Sequence, residues 1–364
     1  MSVIHERVLN ALKNVEDPDL HKDLVSLNMV KDSNLDKTKH KLTVTVELTT
    51  PACPLKDKIK TDCVEALEKE FPDEEIVVNL TSNVNAHKNQ QKTAILPGVK
   101  NTIAIASGKG GVGKSTVAVN LAVALAKEGA KVGLIDADIY GPSIPLMLGV
   151  NKQPRILQDA STQKMIPLEK YNVKLMSIGF LIGENDPVIW RGPMASGAIK
   201  QFMSDVNWGE LDYLLFDLPP GTGDIQLTLV QTIPLTGAII VTTPQPVSLI
   251  DAQKGLNMFS RVNVPVFGIV ENMSYFIAPD TGNRYDIFGS GGGENLAARL
   301  NTKFLGGIPL DPRIREGGDN GKPIVNEIPD SEESLKIVEI SRQLAAQISI
   351  NNSIQDQSEL EIVL

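Results

Sequence analysis

Cysteine and histidine are scarce in this sequence, which has two cysteines and four histidines among 364 residues. The two cysteines, Cys53 and Cys63, cannot build a disulfide framework, and they lack the C-x-x-C spacing of a zinc site. This scarcity argues against classes of protein that depend on a dedicated cluster of metal ligands. Any metal centre has to use few ligands or share them with another chain.

Long apolar runs and an excess of positive charge are also absent. No run approaches the roughly 18 apolar residues of a membrane helix, and Met1–Arg7 does not begin the apolar stretch of a secretory signal. We therefore expect a cytoplasmic protein that makes no membrane contact. A formal net charge of −9 and a pI near 5.1 argue against a broadly basic surface, so nucleic acid is not an expected partner.

Length and composition fit a globular protein of two domains. Hydrophobic residues make up 42% and charged residues 22%, which are ordinary values, while 364 residues exceed what one core usually holds. We expect a small α+β domain over residues 1–82 and a polar linker over 83–98 that ends in Pro-Gly. A larger domain over 99–350 and a loose tail over 351–364 complete this prediction.

The predicted elements indicate an α+β fold followed by an α/β fold. In the small domain, helices are predicted over Val3–Leu12 and Pro54–Glu70, with strands over Lys41–Glu47 and Ile76–Leu80. In the larger domain, apolar strands alternate with helices; the strands are predicted over Thr102–Ala106, Lys131–Ile135, Tyr213–Phe216, Ala238–Val241 and Val266–Val270. Such continuous apolar strands are typical of a doubly wound, mostly parallel sheet, which binds ligands at the carboxyl ends of its strands.

A phosphate-binding loop follows the first of these strands. It matches G-x-x-x-x-G-K-[ST] and consists of Gly108, Lys109, Gly110, Gly111, Val112, Gly113, Lys114 and Ser115, with Thr116 directly after it. Glycines let successive backbone N–H groups point at a phosphate, Lys114 adds a positive charge, and the Ser115 hydroxyl suits Mg²⁺. The alternative is a glycine-rich turn that opens an ordinary helix. Strand, loop and helix in the required order favour an ATP site with Mg²⁺.

Carboxylates end two further strands of the larger domain. Asp136 and Asp138 follow one strand, and Asp217 follows another as the start of Asp-Leu-Pro-Pro-Gly-Thr-Gly-Asp. Asp217 is predicted to serve the metal, and Gly221 can bring a backbone N–H to the γ-phosphate. The alternatives are a capping aspartate at the first strand and a tight turn after the second. Proximity to a phosphate loop favours the nucleotide-binding interpretation.

The loop contains a second lysine, Lys109. With this lysine the sequence resembles the deviant Walker A ATPases, which include MinD, ParA, the nitrogenase iron protein and the Mrp/ApbC proteins. The resemblance implies a nucleotide-sandwich homodimer in which Lys109 reaches the phosphates of the partner copy. There it would stabilise charge on the transferred phosphoryl group. Without the resemblance, Lys109 would be interpreted as a solvated loop lysine.

The sequence is similar to the Mrp/ApbC iron–sulfur cluster carriers over nearly its whole length. The strings that carry this resemblance are Asp136–Ser143, Arg191–Met194, Asp217–Asp224, Glu271–Phe276 and Ile287–Gly289, with Asp17–Asp19 and Thr50–Pro54 in a domain of the iron–sulfur-maturation type. The resemblance implies that Asp138 is the catalytic carboxylate, that Asn272 reads the adenine base and that Pro309 flanks it. An Asn at a strand end is otherwise more often a turn former.

One departure from this family concerns the cluster ligands. Members that bridge a [4Fe–4S] cluster across their dimer carry C-P-x-C, whereas this chain has Ala278 and Thr281 at the two thiolate positions. Neither residue replaces a thiolate at iron. Cys53 remains as the candidate ligand, because Pro54 after it suggests a helix N-terminus that favours thiolate; the alternative is a half-buried turn residue. Cys63 lies on the apolar face of the predicted helix and is expected in the core.

The resemblance implies an ATP-hydrolysing iron–sulfur cluster carrier or assembly factor that delivers clusters to apoprotein clients, with other assembly factors as partners. The missing thiolates keep open an ATP-switched adaptor that binds no cluster itself. A MinD/ParA-like positioning ATPase is a third class. That class would have a basic amphipathic C-terminal helix or a DNA-attracting surface, whereas this C-terminus is acidic and polar.

Overall fold

The structure is a computed structural model that describes residues 3–87, 94–159, 162–181 and 192–362. Part of the predicted linker and Arg191 lie outside these residues. The chain divides into two compact units. The first combines residues 1–85 with residues 345–364, and the second contains residues 86–344.

The first unit is built around a three-stranded sheet. Its elements are α1 (Val3–Leu12), β1 (Glu16–Asp17), β2 (Lys22–Asp23), β3 (Val30–Asp36), β4 (Lys41–Leu48), α2 (Lys56–Glu70) and β5 (Glu75–Ser82). The strand order is β3-β4-β5, with β3 antiparallel and β5 parallel to the central strand. Every second residue of β4 is buried, and these residues face the core that α1 and α2 cover. Strand β3 escapes prediction because most of its residues are polar.

The second unit is a doubly wound α/β domain. Its elements are β6 (Val99–Ala106), α3 (Lys114–Lys127), β7 (Val132–Asp136), α4 (Ile144–Met147), β8 (Arg155–Asp159), β9 (Thr162–Ile166), β10 (Leu168–Lys170), β11 (Val173–Ser177), α5 (Gly192–Ser204), β12 (Leu211–Asp217), α6 (Asp224–Thr232), β13 (Gly237–Thr242), α7 (Pro246–Arg261), β14 (Val266–Asn272), β15 (Phe276–Ile277), β16 (Arg284–Tyr285), α8 (Gly292–Arg299), β17 (Phe304–Ile308), α9 (Pro312–Asp319), α10 (Ile324–Glu327) and α11 (Glu332–Ile362), of which α11 continues into the first unit.

One eight-stranded sheet organises this unit. The strand order is β10-β11-β7-β12-β6-β13-β14-β17, and every neighbouring pair is parallel except β10 with β11. All residues of β7 and β13 are buried, as expected for strands that helices cover on both faces. The predicted fold class is confirmed. Because the strands are parallel, the ends of β6, β7, β12 and β14 meet at one edge of the sheet.

The C-terminal residues differ from the prediction. A loose tail is predicted from Asn351, but helix α11 runs without a break through Ile362. The segment contains no glycine or proline, so nothing in it interrupts a helix once the preceding turns have formed. Asn352 is buried, and its side chain donates a hydrogen bond of 3.0 Å to the backbone carbonyl of Asn85 within the first unit. Among the described helices, none combines the length and the apolar character required to cross a membrane.

Candidate functional site

The phosphate loop joins β6 to α3 and contains the predicted residues 108–113, with Lys114 as the first residue of the helix. Gly113 precedes the helix with φ +78°, in the left-handed region. A Cβ at Gly113 would lie 2.2 Å from the side-chain nitrogen of Asn272, so both backbone conformation and space require glycine. The first N–H groups of α3, which include those of Ser115 and Thr116, have no partners within the helix and suit a phosphate.

Lys114, Ser115 and Asp217 meet at the end of β12. The Lys114 ammonium lies 2.7 Å from one carboxylate oxygen of Asp217, and the Ser115 hydroxyl donates a bond of 2.6 Å to the other. The Lys114 side chain is 5% exposed and that of Asp217 is fully buried. In the structure these groups therefore satisfy one another in a water-poor environment, where unpaired charges would be costly.

Two further carboxylates surround Lys114. Asp138 lies 3.4 Å from the Lys114 ammonium and is mostly buried. Asp136, at the end of β7, is the direct partner of Asp217 in the pairing of β7 with β12. The sequence named Asp136 only as one of two carboxylates after a strand, whereas the structure shows it as the last residue of β7, beside the last residue of β12.

Asp136 is held inside the protein by donors from three residues. Its carboxylate accepts hydrogen bonds from the Ser177 hydroxyl at 2.9 Å, from the Ile144 N–H at 3.2 Å and from the Asp138 N–H at 3.3 Å. Burial, assisted by the neighbouring Asp217, nevertheless raises the pKa of Asp136 to about 8. Burial also raises the pKa of Asp217, against the opposing effect of Lys114. A cation that enters the site beside Lys114 would favour the ionised forms of these carboxyls.

The donor set fits Mg²⁺. The Ser115 hydroxyl and a carboxylate oxygen of Asp217 lie within 2.6 Å of each other, so one ion can be reached by both. Hydroxyl and carboxylate oxygens are the hard ligands that Mg²⁺ prefers, and phosphate oxygens and water normally complete its shell.

The loop after β12 lies against the phosphate loop. The N–H of Gly221, predicted to face a γ-phosphate, donates a hydrogen bond of 2.8 Å to the backbone carbonyl of Ser107. The Ser107 hydroxyl in turn donates a hydrogen bond of 2.9 Å to the backbone carbonyl of Lys109. The Lys109 side chain is exposed. The Gly221 N–H must therefore leave Ser107 before it can bind a phosphate.

A cavity of about 180 Å³ opens beside the phosphate loop, and Gly113, Thr116, Asn272, Pro309 and Ile314 are among the residues that line it. The side-chain nitrogen of Asn272 donates a hydrogen bond of 2.9 Å to the carbonyl of Val112. This bond fixes the orientation of the amide and leaves its oxygen as the acceptor for a ligand. The predicted base-binding residues are thus brought together next to the predicted phosphate site.

Comparison with known proteins identifies the family. The model of the NUBPL iron-transfer P-loop NTPases matches residues 98–345, and that of an iron–sulfur cluster assembly protein matches residues 5–78. The chain belongs to this P-loop NTPase family. An iron–sulfur cluster carrier protein of Synechocystis is 50% identical over 95% of this chain and 98% of its own length. A protein of the same name from Escherichia coli K12 is 45% identical over 94% of this chain and 91% of its own length.

Solved structures agree with the family assignment. A nucleotide-binding protein from Archaeoglobus fulgidus, determined in complex with ADP, is 39% identical with a TM-score of 0.58, over 66% of this chain and 93% of its own. The cell division ATPase MinD from Pyrococcus furiosus is 24% identical with a TM-score of 0.51, over 67% and 98%. The second likeness concerns the fold alone. The resemblance to the Mrp/ApbC and MinD/ParA group is confirmed.

The segment that the resemblance predicts as the cluster position forms a self-supporting hairpin. Strands β15 and β16 pair with each other, and two backbone hydrogen bonds close the turn between them. The Ala278 N–H donates to the Asn283 carbonyl at 2.9 Å, and the Gly282 N–H donates to the Ala278 carbonyl at 2.8 Å. Thr281 is exposed at this turn. The backbone is therefore satisfied without a metal, and the side chains at the two expected thiolate positions do not fit an iron–sulfur cluster.

The structure does not place Cys53 at the helix N-terminus suggested by the sequence. Helix α2 begins at Lys56 with Leu55 as its N-cap, so Cys53 lies before the first turn. Its side chain is 6% exposed within the core of the first unit, and burial raises the pKa of its thiol to about 11. Burial thus disfavours the thiolate, which is the form that binds a metal. Cys63 is fully buried, as expected, and burial raises its pKa to about 12.

Within the described ranges, no group of three or more His, Cys, Asp or Glu side chains is arranged to hold a metal ion. The thiol groups that a conventional cluster site requires are therefore not assembled in these parts of the chain. The nucleotide site, by contrast, brings together predicted residues from the ends of five strands of one sheet, β6, β7, β12, β14 and β17.

Proposed function

We propose that this protein is a Mg²⁺-dependent ATPase that acts as an iron–sulfur cluster carrier or assembly factor and delivers clusters to apoproteins. The observation that carries the ATPase part is the convergence of Lys114, Ser115 and Asp217 at the end of β12. The carrier part is supported by relatives named iron–sulfur cluster carrier protein that match almost the whole chain. These relatives also match the first unit, which fits the iron–sulfur assembly family model.

Nucleotide binding would exchange partners within this network. Triphosphate oxygens would replace Asp217 and Asp138 as partners of Lys114. The Ser115 hydroxyl, which keeps its proton, and the Asp217 carboxylate would hold Mg²⁺, which would neutralise charge on the phosphates. Asp138, released from Lys114, would orient the attacking water. The base would occupy the neighbouring cavity, with the Asn272 oxygen accepting from the exocyclic amine of adenine.

Hydrolysis is proposed to need a second copy of the chain. Lys109 is exposed, and the Ser107 hydroxyl fixes its backbone carbonyl. A homodimer would allow Lys109 of each copy to reach the phosphates bound by the other, where a cation stabilises the charge on the transferred group. The deviant Walker A pattern supports this role.

The cluster is cargo in this proposal. Because Ala278, Thr281 and the two buried thiols do not supply ligands, the client protein or a small thiol has to contribute the thiolates. A cluster held in this way should be labile. The same observation favours a second candidate, an adaptor whose ATP state controls the binding of assembly partners without cluster transfer through this chain.

Cluster transfer measured in the presence and absence of ATP tests the proposal. A scaffold loaded with [4Fe–4S] and an acceptor enzyme that needs this cluster are mixed anaerobically with the protein, and acceptor activity is followed. We expect faster activation with Mg²⁺ and ATP than with Mg²⁺ alone, together with phosphate release. ATP hydrolysis without faster activation would contradict the carrier role and favour the adaptor. No hydrolysis with Mg²⁺ would contradict the ATPase.

A further inference from the structure

The loop that follows β12 is held in place from two directions. On one side, the Gly221 N–H donates to the Ser107 carbonyl at 2.8 Å. On the other side, the side-chain amide of Gln226 donates to the Pro220 carbonyl. The first bond ties the loop to the phosphate loop, and the second ties it to helix α6, of which Gln226 is the third residue.

Gln226 fills the inside of this loop. The residue is 7% exposed, although it lies in the first turn of a helix beside a polar loop. A Cβ at Gly221 would lie 3.4 Å from the amide nitrogen of Gln226, and one at Gly223 would lie 3.2 Å from its amide oxygen. Gly221 also has φ +102°, a conformation that L side chains rarely adopt. The two glycines therefore leave room for the amide, and the amide determines the shape of the loop.

The position of the loop matters to the phosphate site. The Pro220 side chain lies 3.8 Å from where a Cβ on Gly110 would be, so Pro220 rests directly on the phosphate loop. Since Gln226 holds the carbonyl of Pro220, it also sets where the next residue, Gly221, presents its N–H. A change in this bond should move the N–H that the γ-phosphate requires.

We propose that Gln226 is a positioning residue for phosphoryl transfer. It keeps the Pro220–Gly223 loop in one shape, so that the Gly221 N–H exchanges the Ser107 carbonyl for the γ-phosphate with a small movement. The Gln226 amide is directed at the loop backbone, and it acts through Gly221. This inference rests on the ATPase activity proposed above.

Gln226→Glu tests the donor without changing the size of the side chain. The carboxylate form has no proton to offer and would place a negative charge against the Pro220 carbonyl oxygen, whereas the protonated form can donate again. Burial beside a carbonyl raises the pKa of an introduced carboxyl above its usual range. Activity lost at high pH should therefore return in part as the pH falls. Gln231→Glu, an exposed position on the same helix, is the matched control.

Steady-state ATP hydrolysis by the full-length variants supplies the first measurement. At pH 8 we expect Gln226→Glu to lower kcat roughly 10- to 100-fold, the size typical of a misplaced catalytic group, while KM for ATP changes less than about threefold. The ratio of its kcat to that of wild type should rise from pH 8 to pH 6, and Gln231→Glu should match wild type throughout. Wild-type kcat in Gln226→Glu at pH 8, or a loss that is the same at every pH, would overturn the inference.

Hydrogen exchange of the nucleotide-free protein supplies a second measurement that does not depend on hydrolysis. The amide of Gly221, which donates to the Ser107 carbonyl, should exchange faster in Gln226→Glu than in wild type and in Gln231→Glu. If wild type hydrolyses no ATP, the proposed function fails, and this comparison still decides whether Gln226 holds the loop. Unchanged exchange in Gln226→Glu would contradict the positioning role.

Discussion

The nucleotide site and the β15–β16 hairpin lie in the same unit but differ in what holds them together. At the nucleotide site, the buried groups of Lys114 and Asp217 satisfy each other through charge. At the hairpin, backbone hydrogen bonds close an exposed turn, and Arg284 lies 4.4 Å from the ring centre of Tyr275. The first region depends on particular ionisable side chains, whereas the second keeps its shape without any ligand.

This difference determines what each region can contribute to the function proposed above. Buried charges are costly to leave unpaired, so the nucleotide site tolerates few substitutions. A surface turn that satisfies its own backbone can lose two thiolates at little cost to folding. We therefore expect a complete ATPase site in a protein that does not hold a cluster by itself.

Removing the central charge should have the largest effect. Lys114→Ala deletes the cation that faces the phosphates, and charge-assisted hydrogen bonds of this kind contribute about 1.5–3 kcal/mol each. We expect ATP affinity to fall at least about 100-fold and hydrolysis to be lost, measured by calorimetry and phosphate release. Lys152→Ala, at an exposed position, is the control. Unchanged ATP affinity in Lys114→Ala would show that the nucleotide binds elsewhere.

Lys109→Ala should separate binding from hydrolysis. Because Lys109 is proposed to act on the partner's phosphates in the transition state, ATP affinity should stay within about threefold of wild type while kcat falls roughly 100-fold or more. Sedimentation should also show a weaker ATP-dependent dimer. A monomer that hydrolyses ATP equally well with and without this lysine would rule out the sandwich dimer.

Cysteines introduced at both hairpin positions should create a site that retains an iron–sulfur cluster. Ala278→Cys combined with Thr281→Cys places two cysteines at an exposed turn, and two such turns in a dimer supply the four thiolates of a [4Fe–4S] cluster. After anaerobic reconstitution we expect about four iron atoms per dimer, compared with much less in wild type. Cys53→Ser should match wild type, since that thiol is buried. Failure of the double variant to gain iron would mean that the hairpin is not the cluster position in this chain.

The last effect concerns the pH dependence of stability and leaves nucleotide binding aside. Burial and Asp217 raise the pKa of Asp136 to about 8, above the value of about 3.9 in an unfolded chain. A raised pKa means that the stability this carboxyl contributes is present below pH 4 and is lost as the pH rises towards 8. Without nucleotide, the free energy of unfolding of wild type should therefore fall between pH 5.5 and 8.5. In Asp136→Asn this fall should be smaller by up to about 3 kcal/mol. Asp280→Asn, an exposed control, should show the wild-type fall; an equal pH dependence in both variants would contradict this account.

Local pattern was enough to predict much of this structure. The apolar runs before Gly108 and Asp217 predicted buried parallel strands, and parallel strands necessarily bring their carboxyl ends together. The sequence was less informative about features that depend on tertiary packing, such as the burial of a side chain or its contacts with distant residues. The core of the first unit buries Cys53, although its sequence neighbours suggested an accessible helix terminus. Asp136 and Gln226 become significant only through partners that are distant in sequence or lie across a loop.

The decisive experiment asks whether wild type hydrolyses ATP without holding a cluster. One wild-type sample is reconstituted anaerobically with iron and sulfide, and small thiols are removed. Iron retention and ATP hydrolysis are then measured on that sample. We expect Mg-ATP to be hydrolysed while less than about half an iron atom per dimer is retained, because neither the hairpin nor the buried thiols supply ligands. Stable retention of about four iron atoms per dimer by wild type would contradict this expectation.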